Sequence, residues 1–183
     1  MEKNTMIIVS AIALLALGGA IFLAWNFAQG FQASYPCSLV KADDIQKICG
    51  YENVTTTIVP DVLACIYSSP EIRNQSVGNS FLTVMMLKPY AQAGTYESIK
   101  QEFVFENATE SSSVIDENFI GEKSFFVVYK SKTDDRVFSN KLVAFKGDAM
   151  IVVWASPRPG ANETCDNKEK MEEVASLAIS RLS

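Results

Sequence analysis

Residues 140–155 read NKLVAFKGDAMIVVWA, two apolar runs on either side of Gly147-Asp148. A Gly-Asp pair between two such runs is a hairpin signal, so 140–146 and 149–155 are expected as neighbouring antiparallel strands. Ser156-Pro157-Arg158-Pro159-Gly160 then breaks the pattern. Beyond it, Met171, Val174, Ala175, Ala178 and Leu182 recur at i, i+3, i+4, i+7 and i+11. That spacing predicts a helix over 167–182, with Asp166 or Asn167 as its cap.

Working upstream, 124–130 (SFFVVYK) reads as a third strand of this group. The polar stretch 107–119 (NATESSSVIDENF) before it is expected as a loop and, with the loop 156–166, as a contact surface, because loops on a rigid sheet commonly carry binding. Tyr96, Ile99 and Phe103 line up at helical spacing and predict a helix over 95–105. Three further strands are expected at 53–59, at 63–69 across Pro60-Asp61, and at 80–87 (SFLTVMML), which is apolar on both faces as a covered central strand is. A first helix is predicted over 41–49: Ala42, Ile45, Ile48 and Cys49 share a face, Asp43 and Asp44 load the first turn, and Gly50 ends it. The resulting order, αβββαβββα, groups strands together, so residues 37–183 are expected to form an α+β domain with a mainly antiparallel sheet packed by helices.

Residues 6–25 (MIIVSAIALLALGGAIFLAW) carry no charge. As a helix they span about 30 Å, the thickness of a hydrocarbon core. The expectation is a transmembrane signal-anchor over 6–28, with 1–5 as a cytoplasmic tip, 29–36 as a spacer and the bilayer as a partner. Lys3 flanks the run and no Lys or Arg follows until Lys41, which places the N-terminus in the cytoplasm and the domain outside a cell membrane. A cleaved signal peptide with Ala28-Gln29-Gly30 as its site is the alternative, disfavoured because the run exceeds the usual length of such a segment. Glu2 and Lys3 cancel, so the net charge of −5 belongs to the domain.

Four cysteines follow the apolar run, at Cys37, Cys49, Cys65 and Cys165. An even count in an exported domain reads as disulfides, with three possible connectivities. A metal site would need CxxC spacing or histidine, and the chain has neither. Four Asn-x-Ser/Thr sequons, at Asn53, Asn74, Asn107 and Asn162, are glycosylation candidates in the same compartment.

Several short motifs occur together. Pro36-Cys37-Ser38-Leu39-Val40 leads into Ala42-Asp43-Asp44-Ile45 and on to Gly50, and Cys65-Ile66-Tyr67 lies in a strand. Ile120-Gly121-Glu122-Lys123-Ser124-Phe125-Phe126 precedes another strand, and Lys146-Gly147-Asp148 joins two. Spread over most of 36–182, this set resembles a family of small bacterial cell-envelope lipoproteins of unknown function, whose fold is similar to the PsbP-like α/β sandwich. The resemblance implies that Cys37 pairs with Cys65, leaving Cys49 with Cys165, and that Gly121 turns ahead of the fourth strand. The chain departs from the family in lacking its lipid-attachment cysteine, in having Lys41 where Ser or Thr often caps the first helix, and in its second cysteine pair.

The absence of His excludes Ser-His-Asp and Cys-His catalysis within this chain. An acidic balance without a basic cluster argues against nucleic acid. No catalytic or cofactor motif is present. Asp43-Asp44 reads as compensation of the helix dipole, Asp134-Asp135 as a polar turn, and Trp154 and Phe125-Phe126 as core, since they occupy strands. The expected role is therefore non-catalytic binding or interaction outside the cytoplasm. An accessory subunit of a membrane protein complex is the alternative, and an envelope hydrolase using paired carboxylates is the remote one.

Overall fold

The computed structural model describes residues 36–71, 80–87, 95–118, 120–156 and 165–182. They belong to one compact unit, Tyr35–Ser183. In order the elements are α1 (Pro36–Leu39), α2 (Ala42–Cys49), β1 (Thr55–Val59), a 3-10 turn (Pro60–Val62), β2 (Ala64–Ser68), β3 (Ser80–Leu87), α3 (Tyr96–Glu102), β4 (Glu110–Asn118), β5 (Lys123–Ser131), β6 (Val137–Lys146), β7 (Ala149–Ala155) and α4 (Lys168–Ser180).

The strands form one seven-stranded sheet in the order β1-β2-β3-β7-β6-β5-β4, and every neighbouring pair is antiparallel. Two meanders, β1-β2-β3 and β4 to β7, meet where β3 pairs with β7. The connection from β3, beside the central β7, to β4 at the far edge carries α3 across one face of the sheet.

The expected architecture needs correction. The fold inferred from the sequence began with a membrane helix over 6–28. Those residues, with 1–5 and most of the spacer, lie outside the described residues, and no helix among the described residues is long and apolar enough to cross a membrane. The described residues therefore support an α+β sheet domain, and nothing among them supports the membrane helix. The element order also lacked one short helix and one strand: α1 (Pro36–Leu39) precedes the expected first helix, and Glu110–Asn118, expected as a loop, is β4, paired along its length with β5. Its composition is poor for a strand, but an edge strand buries little and β5 supplies the partner groups. Ser112 is the one buried hydroxyl there, and it is fully used. Its Oγ donates to the Phe103 carbonyl at 2.6 Å and accepts from the Phe105 N–H at 2.8 Å.

Strand alternation sorts side chains onto two faces. The first face carries Cys65, Tyr67, Leu82, Val84, Phe126, Val128, Leu142, Ile151 and Val153, all buried under α1, α2 and α4. From α4 the buried residues are Met171, Val174, Ala175, Ala178 and Ile179. Asn167 caps its start, with Oδ1 accepting from the Glu169 N–H at 2.8 Å. At its end, Lys146 Nζ donates to the Ile179 and Leu182 carbonyls at 3.0 and 2.8 Å, placing a cation at the negative end of the helix dipole. The second face carries Phe125, Val127, Tyr129, Val143, Phe145, Met150 and Val152 beneath Ile99, Tyr96 and Phe103 of α3 and its end.

Two disulfides, Cys37–Cys65 and Cys49–Cys165, fasten the helical layer. The first ties α1 to β2. The second ties the end of α2 to the residues just before α4. At the β6-β7 hairpin Gly147 takes φ 57°, as its two-residue turn requires.

A candidate binding face at Lys141 and Trp154

The helix α3 covers only part of the second face. The strand register places Val59, Ala64, Met85, Val152, Val143 and Phe125 in one row across the sheet, and α3 packs over the β5-β6-β7 end of it. The adjacent row on the same face runs Thr57, Ile66, Thr83, Trp154, Lys141 and Val127, one residue from each of β1, β2, β3, β7, β6 and β5. Val127 at one end of this row is fully buried, but from Trp154 to β1 the surface opens: Thr57 is exposed, Ile66 and Thr83 are half-buried, and Trp154 is 40% exposed.

Trp154 was expected in the core, and the structure corrects that placement. The residue does sit in a strand between buried neighbours, but its alternation sends it to the second face, where the packing around α3 leaves it 40% exposed. The indole is nevertheless fixed, because its Nε1–H donates to the buried Ser139 Oγ at 2.6 Å. Phe125 and Phe126 are buried on opposite faces, in accordance with the sequence reading.

Beside Trp154 stands Lys141. Its ammonium lies 4.7 Å from the ring centroid of Tyr129, 4.9 Å from that of Trp154 and 5.5 Å from that of Phe103, within cation–π range of all three. Burial among these rings pushes the lysine below its ordinary range and the Tyr129 hydroxyl up to about 12. Among the described residues no carboxylate lies within ion-pair distance of Lys141, whereas Lys100 pairs with Glu117, Lys130 with Asp135 and Lys132 with Glu106. The site is a desolvated cation, held by π faces, next to a fixed and exposed indole. It was missed in sequence, although a signal exists: Lys141, Val143 and Phe145 alternate onto one face, so 140–146 contains a charge where a buried side chain is the rule.

The other named residues lie elsewhere. Asp44 accepts from the Lys41 N–H at 2.9 Å and pairs with Arg181, while Asp43 borders a shallow open depression with Gln46, Lys47, Gly50, Tyr51 and Glu52. Asp134 pairs with Arg136 in the β5-β6 turn. No three His, Cys, Asp or Glu among the described residues are grouped as a metal site would need. Asn53 is exposed with φ 51° between α2 and β1. Asn107 is exposed ahead of β4, its Oδ1 accepting from the Thr109 and Glu110 N–H groups at 2.9 and 2.7 Å. Asn74 and Asn162 lie outside the described residues, as does most of the 156–166 loop.

Comparison with protein-family models, with curated proteins and with solved structures found no match to this chain.

Proposed function

We propose that this chain is a non-catalytic binding domain working outside the cytoplasm, and that it engages its ligand on the open part of the second sheet face. The observation that carries this reading is the juxtaposition of exposed Trp154 with Lys141, a half-buried cation lacking a carboxylate neighbour among the described residues. Both features cost stability in a free protein: a large apolar ring stays in contact with water, and an ammonium loses part of its hydration. A ligand that covers the ring and supplies an anion would offset both. The two disulfides favour an oxidising compartment.

Photo-crosslinking in the native cell tests the reading. A benzophenone amino acid at Thr57, in the open row, should give an adduct that disappears with Trp154→Ala. The same probe at exposed Ser180 on α4 should give none. Equal labelling at both positions, or labelling at Thr57 that ignores Trp154→Ala, would overturn it.

A further inference from the structure

We infer that the ligand of this face is an acidic sugar, a hexuronate unit within a glycan, with its carboxylate on Lys141 and its ring on Trp154. This rests on the binding role proposed above and adds the ligand's chemistry. Three observations converge on it. Lys141 offers charge-assisted donors with only π faces as near partners among the described residues, so an oxyanion is the group that would complete its coordination. Trp154, locked by Ser139, presents a rigid electron-rich surface, suited to the C–H face of a pyranose. The row then continues away from Lys141 through Thr83, Ile66 and Thr57, placing two hydroxyls on the same face as the indole.

The shape of the row separates a glycan from a small aromatic acid. From Lys141 on β6 to Thr57 on β1 it crosses five strands, about 19 Å at the ordinary strand spacing. It is an exposed track along the sheet surface, whereas a compact aromatic ligand is ordinarily enclosed in a pocket. An extended chain of sugar rings fits such a track, with hydroxyl–hydroxyl hydrogen bonds to Thr83 and Thr57 beyond the charged end.

The test uses the full-length chain labelled with 5-fluorotryptophan. The sequence holds only Trp25 and Trp154, so two fluorine resonances are expected, assigned by Trp154→Phe. Trigalacturonate should shift the Trp154 resonance saturably, and neutral maltotriose should bind at least tenfold more weakly. Lys141→Met should weaken trigalacturonate at least tenfold, Lys141→Arg should retain most of the affinity, and Thr83→Val should weaken it with the charge intact. Equal binding of the two trisaccharides, or of wild type and Lys141→Met, would overturn the acidic-sugar assignment. So would a shift by acetate matching that by trigalacturonate, since that would mean an anion alone. If no sugar moves Trp154 but the Thr57 adduct still depends on it, the ligand class fails and the binding face stands. If both results are negative, the face itself fails.

Discussion

Arg181, one residue past the end of α4, holds Asp44 in the first turn of α2 across 137 positions of sequence. Its Nη1 donates to Asp44 Oδ2 at 2.5 Å and its Nη2 to Oδ1 at 3.2 Å, while Nη1 also donates to the Leu39 carbonyl at 2.8 Å. One guanidinium thus fastens α1 and α2 to α4 above the first sheet face.

Because this fork is partly exposed, its net contribution is modest. Arg181→Met should cost about 1 kcal/mol in urea unfolding, and a double-mutant cycle with Asp44→Asn should assign part of that loss to the pair. The Arg181 hydrogen bond, reinforced by the Lys41 N–H, holds the Asp44 carboxyl below its usual 3.8, against the opposing effect of burial. A lowered native value means the stabilisation is complete above the unfolded-state value and is lost as pH falls through the native one. The stability gap between wild type and Asp44→Asn should therefore be constant from pH 7 to about 5 and narrow below 3.8. A gap that widens in acid would refute the assignment.

The disulfides should differ in strength because they close loops of different length. Cys49 and Cys165 are 116 residues apart, and Cys37 and Cys65 are 28 apart. On the chain-entropy model the long loop is worth about 4.9 kcal/mol and the short one about 3.6 kcal/mol. Replacing Cys49 and Cys165 by Ala should thus lower unfolding stability by about 1 kcal/mol more than replacing Cys37 and Cys65, measured by urea denaturation of the two double variants. The reverse ranking would show that local packing of α1, rather than loop closure, dominates.

Legibility in sequence followed the strength of local signals. The hairpin 140–155 could be read because Gly147-Asp148 separates two apolar runs, and α4 because its buried residues repeat over three turns. β4 was opaque. Its Ser, Glu and Asp residues carry no strand propensity of their own, and only pairing with β5, a tertiary fact, makes the segment extended. The candidate face was opaque for a related reason. That Trp154 and Lys141 are strand residues could be read, but not that they stand side by side. Nor could the sequence show that α3 and Phe103 at its end cover Val127 and reach Lys141 while leaving Trp154 40% exposed.

Gly121 is the least replaceable glycine of the described fold. It has φ 74°, and a Cβ there would lie 2.3 Å from the Phe145 carbonyl oxygen, a backbone atom that cannot move without disturbing β6. Gly50 has the same φ but open space around it. Gly121→Ala should therefore cost about 2–4 kcal/mol, combining the left-handed penalty with the clash, and Gly50→Ala only about 1 kcal/mol. Thermal melts of the two single variants would check this. Equal losses would mean that the strand shifts to accept the methyl group.

Tyr67 is fully buried on β2, and its hydroxyl donates to the Val40 carbonyl at 2.6 Å, joining the sheet to the turn between α1 and α2. Tyr67→Phe leaves that carbonyl unsatisfied and should cost about 1–2 kcal/mol at neutral pH. Burial, with a smaller contribution from the Asp44 charge, pushes the phenol well above its ordinary 10.0. The native state keeps the proton after the unfolded state has released it, so the stabilisation is complete below about pH 10 and is lost as pH rises beyond that. The difference between wild type and Tyr67→Phe should hold from pH 6 to 9 and shrink above pH 10, with phenolate absorbance reporting the late titration of Tyr67. A Tyr67 that titrates near 10 in the folded protein would show that its hydroxyl reaches water.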